Sequence, residues 1–466
     1  MRPVITSSVI QRLRAFAILV ALAAFCVLLV RTYSRTIVRL DGMGYYAPLA
    51  SIVFDGDLDL HNEFVHASPF MRNTYFMRPD GRAVDPYAIG AAVLWAPVFL
   101  VARALDPAEQ ANRQAPSRAG SPGFRPHYIR ALAVATGLEA LLGCILLYLA
   151  LAGATGRLGA ASGVAGAALG TPLIYYALAD PSYAHAASFL VCSALLAAVL
   201  ADRRRRLPLA LLGALWGLAC LVRWQDAVLG LLLAPRLLEE ARAARRMSPV
   251  AALARITLFL VPAAIVFLPQ ILFWNEVYGR PLVMTVHRDF MHWGSPQILL
   301  FLFSTWHGAF IWSPLLVAGF AGIVLAPHRG LRWALLGAVA LEIYICSAAG
   351  DWWGSGGFAA RRLTAIAPLA GYGLSLLVAR FATRAGRLRW RTAIAVGLVV
   401  VGSAWNMRLA QYNIAGLMPF NPHMRIDYTR HYPRGDPGRE RYEFWDHARL
   451  AREIVDAERM MWKRSR

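Results

Sequence analysis

Along the whole chain, long apolar runs alternate with short polar connections. Residues 15–30, 158–178 and 363–379 hold no charged side chain at all. A run of roughly 18 apolar residues crosses ~30 Å of hydrocarbon as an α-helix. Further runs occupy 88–104, 130–152, 182–201, 207–222, 226–238, 251–274, 309–326, 332–349, 362–381 and 391–409. The pattern predicts an all-α polytopic membrane protein. The first run follows Arg2, Arg12 and Arg14 and precedes Arg31 and Arg35 rather than a small-residue cleavage site. It reads as an uncleaved first helix with its N-terminus inside, against the rival reading of a signal peptide.

Orientation follows from arginines in the short connections, which favour the cytoplasmic side. Arg203 to Arg206 is the strongest marker, supported by Arg236, Arg242, Arg245, Arg246, Arg329, Arg332, and the set Arg380, Arg384, Arg387, Arg389 and Arg391. These place both 31–87 and 179–181 outside, so an even number of crossings must separate them. Three apolar runs lie between. Run 88–104 is short and carries Pro97 at its centre, so it is expected to lie along the outer leaflet or re-enter it. The expectation is about 11 transmembrane helices in a domain spanning 1–410. A long outer loop, 31–130, would hold membrane-parallel or re-entrant helices, and 411–466 would form an outer tail. Within that tail, 440–462 carries a partial apolar stripe of Phe444, Leu450, Ile454 and Met461, suited to the membrane surface or to capping the outer loops.

Composition agrees. The chain has 466 residues, 58% hydrophobic and only 16% charged, with mean hydropathy +0.46. A soluble domain is about one quarter charged, so a soluble enzyme, a disordered chain and a nucleic-acid-binding domain are excluded. The net charge of +21 is mostly an orientation signal, because the connections assigned to the inner side hold most of it. The basic residues are nearly all arginine; Lys463 is the lone lysine. Cys26, Cys144, Cys192, Cys220 and Cys346 all sit in apolar runs, which is neither a disulfide framework nor a metal spacing. No metal or cofactor is expected.

Ionisable groups in a membrane protein are costly and therefore informative. On this topology they gather at the outer face. Asp41-Gly42-Met43-Gly44-Tyr45-Tyr46 opens the first loop. It is either a general base with neighbouring rings, its glycines freeing the backbone, or an Asp-Gly turn with interfacial tyrosines. Asp55, Asp57 and Asp59 alternate, but without a later bidentate Glu the run reads as a solvated turn rather than a cation loop. Asp85-Pro86-Tyr87 either caps the next helix or holds a ligand hydroxyl. Asp180 is placed as a cap with Pro181 at the first helical position, and His185 lies one turn deeper. Arg223 either pairs with Asp226 or binds a phosphate. Asp351-Trp352-Trp353-Gly354 runs into Arg361-Arg362. Two arginines at an outer helix N-terminus oppose the helix dipole and call for an anion. Glu139 and Glu342 lie within predicted membrane helices, where they either pair with a polar group or form a proton route.

With these residues in place, the chain resembles the glycosyltransferase C-fold superfamily, the polyprenyl-phosphate-sugar-dependent membrane glycosyltransferases that include protein mannosyltransferases and aminoarabinose transferases. The resemblance rests on Asp41-Gly42-Met43-Gly44-Tyr45-Tyr46, Asp180, Trp306-His307-Gly308 with Trp312-Ser313-Pro314, and Trp352-Trp353-Gly354 followed by Arg361-Arg362. It implies an inverting sugar transfer from a polyprenyl-phosphate donor to a lipid, glycan or protein acceptor at the outer face of a bacterial inner membrane. Asp41 and Asp180 stand where the superfamily has catalytic acids. Tyr45, Tyr46, Asp85, Tyr87, His185, Arg223, His307, Asp351, Trp352, Arg361 and Arg362 are the expected substrate-binding residues. The alternative is a transporter or flippase of a lipid-linked glycan.

Overall fold

The computed structural model describes residues 22, 24, 27, 28, 38, 41–67, 78, 81–106, 122–246, 248–285, 290–354, 357–382, 390–417 and 447–464. The predicted first helix, 15–30, lies almost wholly outside them, as do Phe444, Arg113, Arg118, Arg384, Arg387 and Arg389. The described residues are helical, with one isolated bridge, Met291 to Ala349, and no strand among them.

Two short helices, α1 (Asp41–Phe54) and α2 (His61–Ala67), precede α3 (Gly90–Ala104). Then come α4 (Pro126–Leu169), α5 (Leu173–Leu178), α6 (His185–Arg205) and α7 (Leu209–Val222). A 3-10 helix (Trp224–Leu233) leads into α8 (Ala234–Arg245), followed by α9 (Pro249–Tyr278). Short pieces α10 (Ile298–Phe303), α11 (Ala309–Trp312) and α12 (Leu315–Gly322) precede α13 (Arg329–Ala348). A 3-10 turn (Arg361–Ile366) opens α14 (Ala367–Phe381), and α15 (Trp390–Ile414) and α16 (His447–Arg464) close the chain. Among the described residues six helices are long and apolar enough to cross a membrane: α4, α6, α9, α13, Arg361–Phe381 and α15. The protein is an all-α polytopic membrane protein.

Several predicted runs are not single helices. The runs 130–152 and 158–178 merge into α4, which is broken at Gly156 (φ 74°, ψ 170°), a left-handed conformation glycine adopts without strain. The second run then ends early at Leu169, because Pro172 removes an amide donor and disfavours helix at Thr171. Run 226–238 begins inside a ten-residue 3-10 helix, Trp224–Leu233, which rises only about 20 Å. Ser313-Pro314 splits 309–326 in the same way as Pro172. Run 88–104 forms α3, 15 residues with Pro97 inside, pressed on the bundle: the Trp95 indole N–H donates to Glu139 of α4 at 3.3 Å.

Lipid supplies no hydrophobic drive between helices, so close backbone approach does the packing. Gly213 and Gly217 of α7 lie against the backbone of α9 at Phe259 and Ala263. Gly159 and Gly163 of α4 meet α14 at Ser375 and Gly371, and Gly319 and Gly322 of α12 meet it at Ala370 and Gly373. α14 is thereby gripped from two sides. At the arginine-rich end, Arg236 of α8 reaches Asp202 at 3.3 Å and Arg206 reaches Glu239 at 3.0 Å, tying α6 to α8.

A side chain at Gly217 would collide with the Ala263 backbone, whereas Gly397 of α15 faces open space. Gly217→Leu should therefore destabilise the bundle by about 1–3 kcal/mol or more, read as a lower unfolding temperature in detergent, while Gly397→Leu leaves it unchanged.

Candidate functional site

Asp41 is the first residue of α1, where a carboxylate is favoured by the helix dipole. α1 reaches its place because two glycines permit it. A Cβ on Gly42 would overlap Ser182, and one on Gly44 would overlap Tyr87 and meet Asp85 Oδ1 at 2.6 Å. Both glycines lie in regular helix, so their role is close approach rather than the backbone freedom expected of them.

So placed, Asp41 meets Arg361: Arg361 Nη2 donates to Asp41 Oδ2 at 2.7 Å. The arginine side chain is 5% exposed and that of the aspartate 31%. The pair has a solvent-facing anion and a buried cation. Burial raises the Asp41 pKa, but Arg361, a hydrogen bond from the Tyr87 hydroxyl and Arg362 together outweigh it and hold the carboxyl below its ordinary value. Arg362 is anchored separately, donating to Asp351 Oδ1 at 2.6 Å and to the Asp351 carbonyl at 2.8 Å. The two arginines that called for an outside anion thus have carboxylates of the chain itself beside them.

Aromatic rings line the other side of Arg361. Its guanidinium carbon lies 5.0 Å from the Tyr183 ring centroid, a cation–π contact. Tyr183 stacks on His185, with centroids 5.7 Å apart and planes 9° apart, and Tyr176 lies 4.5 Å from the same imidazole. The Tyr176 hydroxyl accepts from the Phe358 amide at 2.7 Å, fixing the loop just before Arg361. Arg223, Arg361 and Arg362 all act electrostatically on His185.

Behind this wall lies a second polar layer. Arg223 Nη2 donates to Gln225 Oε1 at 2.6 Å, and Gln225 Nε2 donates to Glu342 Oε1 at 2.5 Å. Asp226 turns instead to Ser188, accepting its hydroxyl at 2.6 Å, so Arg223 and Asp226 have different partners. Arg223 Nη1 and both ring nitrogens of His185 are buried without a hydrogen-bond partner. That polar capacity is left over near Tyr45, which senses Arg223 and Arg361, while Asp41 senses Arg361 and Arg362.

The expected site residues therefore divide. Asp41, Tyr45, Tyr87, His185, Arg223 and Arg361 converge, with Tyr45 and Tyr87 rings 4.8 Å apart. Arg362 and Asp351 form the adjoining pair, and Trp352 is buried in the core beside them. His307 adopts φ 59° and bonds the Trp353 carbonyl through Nδ1 at 2.8 Å; burial pushes its pKa down to about 4, leaving it neutral at pH 7.

Three expectations need correction. Tyr46 is fully buried, its hydroxyl donating to Gly123 at 2.5 Å within a cluster with Phe99 and Phe124, so it belongs to the core. Asp85 caps nothing: α3 starts after Ile89 without a side-chain cap. Asp85 lies under α1, accepts the Tyr87 amide at 3.0 Å, and burial raises its pKa well above the usual carboxylate range. Asp180 does not cap α6, which begins at His185 after Ala184. Asp180 accepts the Ser182 hydroxyl at 3.4 Å in the turn that leaves α5. Asp57 and Asp59 accept backbone amides in an exposed turn, and no cluster able to hold a metal occurs among the described residues. Tyr176, Tyr183, Gln225 and Phe358 were missed. Their signal is position alone: Tyr183 lies between Asp180 and His185, and Gln225 between Arg223 and Asp226.

Removing one member of the Asp41–Arg361 pair strands a buried charge. Asp41→Ala should cost roughly 2–4 kcal/mol, and the double variant Asp41→Ala with Arg361→Met should recover most of that loss in a detergent melt. The pair's contribution has a defined pH window. The folded carboxyl titrates below its unfolded value near 3.8, so its stabilisation is whole above that pH and is lost as pH falls through the folded value. The unfolding-temperature gap between wild type and Asp41→Ala should hold from pH 7 to 5 and close under stronger acid.

No protein-family model matches the sequence, and no curated protein matches it. Among solved structures, ArnT from Cupriavidus metallidurans bound to undecaprenyl phosphate is similar, with 15% identity and TM-score 0.47 over 86% of this chain and 72% of that one. Also similar is the archaeal oligosaccharyltransferase AglB from Archaeoglobus fulgidus in complex with an inhibitory peptide and a dolichol-phosphate. It shows 15% identity and TM-score 0.49 over 87% of this chain and 56% of that one. Both likenesses are distant, at 15% identity.

Proposed function

We propose that this chain is a membrane glycosyltransferase that moves a sugar from a polyprenyl-phosphate donor to an acceptor hydroxyl or amide at the outer membrane face. The observation that carries the proposal is the asymmetric Asp41–Arg361 pair, a partly exposed carboxylate held ionised by a buried guanidinium. Near it lie further buried polar atoms without partners, Arg223 Nη1 and both ring nitrogens of His185.

The mechanism follows from competition for Arg361. Without donor, Asp41 occupies the guanidinium and is a weak base. A donor phosphate at Arg361 and Arg223 brings two parallel hydrogen bonds of its own. Asp41 then loses its cation partner, and its basicity rises. The freed carboxylate accepts the proton of the acceptor group as that group attacks the anomeric carbon. The carbon–oxygen bond to phosphate breaks on the opposite face, and phosphate leaves with the electron pair. The anomeric configuration inverts. The arginines stabilise the departing charge, so no general acid is required. Tyr45 and Tyr87 stand beside Asp41 where a sugar would lie, and Asp180 borders the same wall. Glu139 and Glu342, the groups a transporter would move protons through, already have internal partners in Trp95 and Gln225.

Asp41→Asn keeps an acceptor for Arg361 and should leave the protein folded while lowering transfer at least ~10³-fold. The assay is transfer from total bacterial polyprenyl-phosphate sugars in vesicles. Near-normal turnover would sink the mechanism. Arg223→Gln should in parallel reduce the polyprenyl phosphate that co-purifies with the protein, measured by mass spectrometry.

A further inference from the structure

The C-terminal helix α16 is clamped at the end of a membrane-spanning helix. Arg408 of α15 grips Glu458 of α16 with both arms of its guanidinium, at 2.7 and 3.0 Å, and the Tyr412 hydroxyl also donates to Glu458. The inner stripe of α16, with Leu450, Ile454, Ala457 and Met461, packs into the cluster of Tyr175, Tyr176, Tyr183 and Phe358. That cluster is the wall against which Arg361 rests.

The outer face of α16 is also patterned. Along α15, Ile394, Leu398, Val401 and Trp405 form one exposed stripe at helical spacing, the face an apolar spanning helix turns to lipid. Arg408 is the next position of that stripe, and it holds Glu458. On α16, Val455 and Trp462 share the face of Glu458 at three and four residues' distance, and they are 49% and 61% exposed. The lipid-facing stripe of α15 is therefore continued, past the end of the span, by a valine and a tryptophan on α16. Arg452, Arg459 and Lys463 flank them, exposed, opposed on that side by Asp456, which lies 3.4 Å from Arg459.

We infer that α16 is an interfacial clamp whose outer face docks on anionic phospholipid, Val455 and Trp462 entering the headgroup boundary and Arg452, Arg459 and Lys463 taking lipid phosphates. An amphipathic helix with aromatic and basic residues together is built for that layer. A spanning helix sets its height, because the Arg408–Glu458 contact ties α16 to the end of α15. Anionic lipid then presses the inner stripe onto the tyrosine wall, so the charge of the leaflet bears on the rigidity of the Arg361 site. The inference stands independently of the proposed glycosyl transfer.

The test is hydrogen–deuterium exchange of the full-length protein in lipid nanodiscs, comparing phosphatidylcholine alone with phosphatidylcholine mixed with phosphatidylglycerol. Amides of 447–464 should exchange roughly tenfold more slowly with the anionic lipid, and α15 should serve as an unchanged internal reference. Arg452→Gln, Arg459→Gln and Lys463→Gln combined should erase the difference, and Trp462→Ser should raise exchange in both lipids. High salt should erase the difference in the unaltered protein, which decides the matter even if the triple variant fails to fold. Equal exchange in the two lipids, as a protein partner or a second copy covering the face would give, overturns the inference. So does a difference that survives the triple variant or high salt.

Discussion

The structure is organised around a buried positive charge. Taking a guanidinium out of water costs several kcal/mol even after the protein relaxes, and Arg361 is 4% exposed. The cost is offset only if an anion and a polarisable surface lie within a few ångströms. Asp41 supplies the first and Tyr183 the second, from parts of the chain 320 and 178 residues away. Each imposes its own demand. Asp41 arrives only if α1 packs tightly enough to exclude any side chain at Gly42 and Gly44. Tyr183 arrives only if the α5–α6 turn is held, which Thr136 does by donating to the Pro181 carbonyl at 2.8 Å. Glycines, turn and helix ends all answer to one charge.

The same reasoning orders the layers behind it. Arg362 is neutralised by Asp351 eleven residues earlier in its own loop, so it adds rigidity without spanning the bundle. Arg223 is different. Its hydrogen bond to Gln225, and that of Gln225 to Glu342 on α13, fix one arm of its guanidinium and leave the other buried and unsatisfied. A purely structural arginine would bond with both arms, because an orphaned buried donor costs about 1–3 kcal/mol. The chain retains that cost next to a histidine with two unsatisfied nitrogens. Other buried polar atoms in the bundle also lack partners, but here a guanidinium arm and an imidazole stand together beside the Asp41–Arg361 pair.

Much of this was legible in the sequence, but as separate marks. The apolar runs predict most of the helices long enough to cross a membrane, and arginine bias in the connections predicts that Asp41, His185, Arg223 and Arg361 gather at one face. Pairing was not legible. Nothing in local spacing says that Asp41 and Arg361 meet rather than face a common ligand, because the contact is set by tertiary packing of α1 on the α5–α6 turn. The glycines of Asp41-Gly42-Met43-Gly44 suggest backbone freedom, yet they serve close approach, a distinction visible only once Ser182 and Tyr87 are in place. Asp180 before Pro181 has the form of a helix cap, but α6 starts four residues later. Pro172 and Pro314 interrupt runs that hydropathy alone treats as continuous, since hydropathy measures transfer to lipid and not the backbone hydrogen bonding that proline removes.

The position of the acids favours the proposed catalysis over transport on physical grounds. Moving a proton or ion through a bundle requires ionisable groups near the midplane that are free to change partner. Glu139 and Glu342 lie within helices long enough to span a membrane, but each accepts a hydrogen bond from a neutral donor, the buried Trp95 and the half-buried Gln225. In both cases that bond also positions a neighbouring element: Trp95 docks α3 on α4, and Gln225 aims Arg223. An acid whose hydrogen bond holds a helix in place cannot release it in each cycle without loosening that helix. In the proposed mechanism the exchangeable carboxylate is instead Asp41, partly exposed, with a partner that a donor phosphate would take from it. In the proposed mechanism the chemistry falls to Asp41, and the buried acids hold the frame behind it.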